Sequence, residues 1–172
     1  MDENSYISSV KEQLRAYDFD ERDIYPLRLI SKPSFYDTEE VGVDSKACFY
    51  KREKKLTRVI EQVVFIFTVD EPEVQAVKDA ISDCVGFFDW SSSTGITSRD
   101  QRWVYPLLIP TEVTKAMRIA AKREAGQHDS EFVLPVIADP QNNQLIYDNP
   151  SKTGQLTAHG TVANNAENYF VI

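Results

Sequence analysis

The segment Val63–Val69 constrains the fold of this chain more than any other. It reads Val-Val-Phe-Ile-Phe-Thr-Val, so only Thr68 interrupts the apolar run. Successive side chains of an extended strand point to opposite faces, and here both faces are apolar. This pattern is typical of a central strand covered by helices on two sides. We therefore predict a layered fold built around a strand over Arg58–Val69.

Helical periodicity occurs on both sides of that strand. Apolar residues recur at intervals of three and four near the N-terminus, and such intervals predict an amphipathic helix. After the strand, Asp70–Glu73 places carboxylates and a proline where a helix begins. The apolar positions of the first predicted helix are Ile7, Val10, Leu14 and Tyr17, and those of the second are Val74, Val77, Ile81, Val85 and Phe88. A third helix is predicted from Thr111 to about Glu124.

The remaining extended segments complete a sheet. They are Leu27–Tyr36, Lys46–Arg52, Trp103–Ile109, Phe132–Ala138 and Leu145–Tyr147. Their order predicts a single α/β (or α+β) domain over residues 1–150, with a mixed sheet, an antiparallel N-terminal meander, right-handed βαβ crossovers and helices packed on the sheet. Residues 151–172 are predicted to form a polar C-terminal extension whose last four residues, Tyr169–Ile172, are apolar enough to dock.

The N-terminal residues and the two cysteines predict the cellular compartment of the protein. Met1–Asn4 is acidic and polar, unlike the start of a signal peptide, and the longest apolar run is too short to cross a bilayer. We expect a soluble cytoplasmic protein that does not contact membranes. Cys48 and Cys84 each lie within an apolar pattern, which predicts reduced thiols in the core.

Charge is unevenly distributed along the chain. The 19 basic and 27 acidic residues give a net charge of −8, which disfavours nucleic acid as a partner. Residues 45–58 nevertheless carry six basic groups and one acidic group, a net of +5. A second group of basic residues recurs at intervals of three and four, which places it on one face of a helix. The predicted binding residues are Lys51, Arg52, Lys54, Lys55 and Arg58 in the first group and Lys115, Arg118 and Lys122 in the second.

These cationic groups predict binding of a protein with an acidic surface or of a small anionic ligand. The alternative is that both are ordinary solvated faces, with the first also protecting a sheet edge from aggregation. Trp90 is a further binding candidate, because loops that carry an aromatic residue are common recognition elements. Its alternative role is to pack onto the sheet beside Phe87 and Phe88.

Carboxylates at strand ends are the candidates for a metal site. Asp70 follows the predicted central strand and Asp139 ends another strand, and carboxylates that converge at such an edge can hold Mg²⁺. The alternative is that Asp70 caps a helix and Asp139 forms a turn. No cofactor is expected unless this site exists.

The element order is similar to that of the restriction-endonuclease-like nuclease core: a helix, a three-strand meander, a helix and a strand. That resemblance implies Mg²⁺ held by an acidic residue near the second strand and by an acid-x-Lys pair on the third. Asp44 and Glu61 occupy the two acidic positions, whereas Val63 stands where the family has lysine. The resemblance covers about the first 110 residues.

The sequence identifies no catalytic residue and leaves open whether the protein is an enzyme. It favours a non-catalytic binding or protein-interaction module. The alternatives are a metal-dependent hydrolase or degenerate nuclease domain, and a homo-oligomeric subunit whose C-terminus, Tyr169–Ile172, pairs with another chain as an added strand.

Overall fold

The computed structural model describes residues 1–23, 43–85, 100–128, 131–150 and 158–170. Within these ranges the helices are α1 (Glu3–Ala16), α2 (Val74–Cys84), α3 (Lys115–Arg123) and α4 (Ala158–Tyr169). The strands are β1 (Asp20–Arg22), β2 (Val43–Lys55), β3 (Arg58–Val69), β4 (Gln101–Pro110), β5 (Gly126–His128), β6 (Glu131–Val133), β7 (Val136–Asp139) and β8 (Gln144–Ile146). The predicted strand Leu27–Tyr36, Trp90 and the last turn predicted for the second helix lie outside the described residues.

The strands form one mixed sheet. β1, β2 and β3 pair in antiparallel fashion, whereas β3 with β4, and β4 with β6 and β7, pair in parallel. β5 extends the sheet from β6, and β8 extends it from β7. The predicted α/β class with a mixed sheet, an antiparallel meander and parallel crossovers is confirmed.

A break separates β6 from β7, where the sequence predicts one strand over Phe132–Ala138. Pro135 lies in the break, and proline has no N–H to donate to a ladder. Leu134 N still donates to Val104 O at 2.9 Å, so the chain stays against β4. Both short strands therefore pair with β4, but β6 pairs on its other side with β5 and β7 pairs with β8.

The central strand β3 is buried on both faces, as predicted. Ile60, Val64 and Ile66 pack in the core beneath α1 and α4. Val63, Phe65, Phe67 and Val69 pack in the core beneath α2 and α3. The result is a three-layer arrangement, since each of the two sheet faces carries its own apolar cluster.

Helix α4 lies in the segment for which the sequence predicts a polar extension. Although the composition of α4 is polar and rich in asparagine, the helix has an apolar stripe that is buried beside α1 and consists of Val162, Ala163 and Ala166. Tyr169 and Phe170 are also buried, in the same core. Pairing of this end as an added strand is wrong for Tyr169 and Phe170, because α4 ends at Tyr169 and both side chains fill the protein's own core.

Cys48 and Cys84 are free, buried thiols in the core beneath α2 and α3, as predicted. Burial raises the pKa of Cys48 to about 12 and that of Cys84 well above its usual value. Such thiols are inert, because the thiolate is the reactive form. Among the described helices, none is long and apolar enough to cross a membrane.

Candidate functional site

The structure does not bring Asp44 and Glu61 together. Asp44 pairs with Thr68 in the β2–β3 register, whereas Glu61 lies seven residues earlier in β3. At about 3.3 Å per residue, that offset is roughly 23 Å along the strand. Asp44 Oδ2 instead lies 2.6 Å from Lys46 Nζ, and this hydrogen bond raises the pKa of Lys46.

Glu61 belongs to a row of alternating charges across the sheet. Arg52 in β2 and Arg102 in β4 are its register neighbours on either side. We call these three residues the charge row. Glu61 accepts hydrogen bonds from the Tyr50 hydroxyl at 2.7 Å and from Arg102 Nε at 3.3 Å. Its carboxylate is 3% exposed, so its charge is compensated inside the protein.

Asp70 and Asp139 lie at the carboxyl ends of β3 and β7, as predicted, but they differ in environment. Asp70 is exposed, and its carbonyl accepts from Thr111 Oγ1 at 3.4 Å. Asp139 is buried and accepts from Asn142 N at 3.1 Å and from Asn142 Nδ2 at 2.9 Å. It therefore shapes the turn before β8. Across the described ranges, no group of three or more histidine, cysteine or acidic side chains could hold a metal ion.

The first cationic group lies on the hairpin that joins β2 to β3. Glu53 binds two of its lysines, with Lys51 Nζ at 2.7 Å and Lys55 Nζ at 3.2 Å. Lys54 and Arg58 are exposed beside Leu56, whose side chain is fully exposed. This group therefore lies on an exposed hairpin tip.

The second cationic group lies at the other edge of the sheet. Arg118 of α3 contacts Gln144, which begins β8, and β8 is four strand positions away from β2. Neighbouring strands are about 4.8 Å apart, so the two groups are separated by roughly 20 Å across the sheet. They therefore do not form one cationic surface.

Arg118 and Lys122 line a groove between α3 and the chain around β8. Its volume is about 260 Å³. The residues lining it are Arg118, Lys122, Leu145, Ile146, Tyr147 and Asn149. The sequence indicates the two cations by their helical spacing, but it carries no signal for the opposite wall, which forms only when β8 pairs with β7.

The local sequence of α3 explains where the two cations point. Thr114 caps the helix, since its hydroxyl accepts a hydrogen bond from Met117 N at 3.2 Å. Met117, Ala120 and Ala121 are buried, and α3 packs against α2. Arg118 and Lys122 each follow one of these buried residues, so they lie on the flank of the helix beside β8.

Among the described residues, neither cation on this flank has an ionic partner. Arg118 Nη1 and Nη2 lie 3.5 and 3.4 Å from Gln144 Oε1, which are long contacts to a neutral amide. Neither Arg118 nor Lys122 forms an ion pair within the part of the chain that the structure describes. Like charges four residues apart on a helix repel each other by about 0.2–0.5 kcal/mol. An anion between them would remove that repulsion.

The opposite wall of the groove is held by α4. The Tyr147 hydroxyl donates to Glu167 Oε1 at 2.5 Å, and Asn149 Nδ2 donates to the same oxygen at 3.4 Å. Burial, followed by the contact with Glu167, raises the pKa of Tyr147, so its phenol remains a donor at neutral pH. The groove is therefore pre-formed by contacts that do not use either cation.

The fold thus defines a three-layer α/β protein with a cationic groove at one sheet edge. No family model, curated protein or solved structure matches this chain. The function of the protein must therefore be inferred from its own residues.

Proposed function

We propose that this protein is a non-catalytic binding module that holds a small ligand through an oxyanion, a phosphate or carboxylate group, placed between Arg118 and Lys122. The observation that carries the proposal is a pair of cations one helical turn apart at the wall of a groove, with no ionic partner among the described residues. Arginine offers a planar fork that matches an oxyanion with two hydrogen bonds, and lysine adds a mobile point charge.

The size of the groove supports a small ligand. Ligand sites usually enclose about 300–1,000 Å³, and this groove, at about 260 Å³, lies below that range, so it has room only for a small ligand. Leu145 and Ile146 offer apolar contact to a short carbon skeleton, whereas Asn149 offers a polar group. An oxyanion with a few attached carbon atoms fits this combination.

The composition of the lining supports binding rather than catalysis. Its described residues include no carboxylate, histidine or cysteine, which are the usual general bases and nucleophiles. The phenol of Tyr147 is committed to Glu167. We also retain a cytoplasmic location as part of the proposal, because two buried free thiols suit a reducing compartment.

Thermal unfolding in the presence of pyrophosphate tests the proposal. A ligand that binds only the folded state stabilises it by RT ln(1 + [L]/Kd), about 1.4 kcal/mol at tenfold excess over Kd. For a chain of this size we expect Tm to rise by roughly 3–5 °C. Sodium chloride at matched ionic strength separates site binding from general salt effects.

Matched variants locate the site. Arg118→Ala and Lys122→Ala should each weaken binding by roughly 10-fold or more, because each removes a charge-assisted contact. Lys115→Ala is the control, since Lys115 lies on the same helix but does not line the groove. Equal loss of binding in all three variants would indicate a diffuse charge effect and would contradict a site in the groove.

A further inference from the structure

The β2–β3 hairpin ends in a feature that the groove does not explain. At its tip Leu56 is fully exposed and is flanked by Lys54, Lys55 and Arg58. A fully exposed leucine gains nothing from folding, because it buries no apolar surface in its own chain. Its position among cations suggests a contact with another molecule.

The tip projects beyond its neighbours in the described sheet. The register of β1 on β2 ends at Tyr50, and β4 first pairs with β3 at Ile60. Asp100, just before β4, still accepts a hydrogen bond from Val59 N at 2.6 Å. The last pair of the hairpin, Lys55 with Arg58, lies past the strand pairing of both described neighbours. Backbone pairing with β3 nevertheless keeps the tip ordered in advance, which lowers the entropic cost of binding.

The opposite end of the sheet carries the opposite charge. Carboxylates gather where β3 and β4 finish and where α1 and α2 begin. They are Asp2, Glu3, Asp44, Asp70, Glu71, Glu73 and Glu112. Lys46 and Lys115 lie at the same end, and Lys46 is already bound to Asp44. Acidic groups therefore outnumber basic groups at this acidic end.

The acidic end also exposes apolar side chains. Val74, the first residue of α2, is 38% exposed, and Met1 is 59% exposed. These are two of the few large apolar residues that the described chain leaves open to solvent. The acidic end thus offers both groups that the hairpin tip requires, namely negative charge and an apolar contact for Leu56.

We propose that copies of this chain associate head to tail, with the hairpin tip of one copy docked on the acidic end of the next. The two surfaces lie about 36 Å apart along β3, so the hairpin tip cannot contact the acidic end of its own copy. Contact between two different surfaces is heterologous, and it generates open chains or rings rather than a closed symmetric dimer. This association does not depend on the groove between α3 and β8.

The physical character of the contact determines its salt dependence. The Debye length falls from about 30 Å at 0.01 M ionic strength to about 3 Å at 1 M, so screening removes long-range attraction between exposed charges. The tip is narrow, and small interfaces are typical of weak, transient complexes. Association should therefore be visible at low salt and high protein concentration and should vanish as salt is added.

Sedimentation velocity of the full chain at low ionic strength tests the proposal. The wild type should show a weight-average sedimentation coefficient that rises with concentration. A tip variant (Lys54→Gln, Leu56→Gln) and an end variant (Asp70→Asn, Glu71→Gln) should each remain monomeric, and because these substitutions are neutral, the altered tip does not attract the altered end in a mixture. All four residues are exposed, so circular dichroism should confirm unchanged folds.

Mixing the two variants distinguishes head-to-tail contact from other modes. The tip variant keeps its acidic end and the end variant keeps its tip, so an equimolar mixture should form dimers and nothing larger. Arg123→Glu is the control, because it reverses an exposed charge on α3, outside both surfaces. A wild type that is monomeric at all concentrations, a mixture that stays monomeric, or an equal effect of Arg123→Glu would each overturn the proposal.

Discussion

Arg102 of β4 lies directly beside Glu61 of β3, with Arg102 Nε 3.3 Å from Glu61 Oε2. The two side chains are only 9% and 3% exposed. Glu61 therefore depends on Arg102 for compensation of a charge that water does not reach. This pairing gives the charge row a structural role in the sheet.

Removal of the cation should destabilise the protein strongly. Arg102→Met removes the cation in contact with the buried Glu61 and leaves the Tyr50 hydroxyl as a donor to it. Breaking a buried pair by removing one partner typically costs about 3–5 kcal/mol. Urea unfolding at neutral pH measures this loss. The double variant Glu61→Gln/Arg102→Met should recover part of the stability, because no buried charge remains.

The control for this experiment is Arg123→Met, which removes an exposed cation from the end of α3. Surface substitutions of this kind usually change stability by no more than about 0.5 kcal/mol. If Arg102→Met were as mild as the control, Glu61 would not depend on Arg102.

A second prediction concerns the docking of the C-terminal helix. The Tyr6 hydroxyl donates to the Phe170 carbonyl at 3.1 Å, and both residues are fully buried. Tyr6→Phe leaves that carbonyl without this donor, and an unsatisfied buried group costs about 1–3 kcal/mol. The loss should appear as a lower urea midpoint with an unchanged m-value. A neutral effect would mean that this hydrogen bond does not hold α4 against α1.

A third prediction concerns alkaline pH. Burial raises the pKa of Tyr169 to about 12 and raises the pKa values of Tyr6 and Tyr105 as well. A folded-state pKa above the unfolded value of about 10 means that the folded state retains the proton longer. The stabilisation is complete below pH 10 and is lost as pH rises from there through about 12.

Urea unfolding at about pH 8 and about pH 11 measures this dependence. Each tyrosine with a raised pKa contributes a slope of up to about 1.4 kcal/mol per pH unit in that window. Tyr169→Phe should reduce the fall in stability between the two pH values, although it also removes a 3.2 Å hydrogen bond to Gln62 Oε1. A fall of unchanged size would show that Tyr169 ionises equally in both states.

The spacing of apolar residues predicted the elements whose sequences have a strong periodicity. Val63 to Val69 identified the central strand, and Ile7, Val10 and Leu14 identified α1, because strong periodicity survives in three dimensions. The same reasoning did not find α4. Its apolar stripe consists of valine and alanine among asparagines, and its helical state depends on burial against α1 rather than on propensity.

Only one wall of the groove could be predicted from the sequence. Arg118 and Lys122 share a helix face by spacing alone, but Tyr147 and Asn149 reach them because β8 folds back on β7 and α4 fixes the wall. The separation of Asp44 from Glu61 likewise follows from the hairpin register, which pairs Asp44 with Thr68. Long-range register is not encoded in local spacing.

The most direct test of the groove is an amide NMR titration of the protein with pyrophosphate. Oxyanion binding between Arg118 and Lys122 predicts saturable shifts confined to residues 115–123 and 144–149. Arg118→Ala should raise the pyrophosphate concentration at half-saturation roughly 10-fold or more, whereas Lys115→Ala should leave it unchanged. Shifts that centre on the hairpin tip at residues 54–58, or groove shifts whose half-saturation is unchanged in Arg118→Ala, would contradict the proposed site.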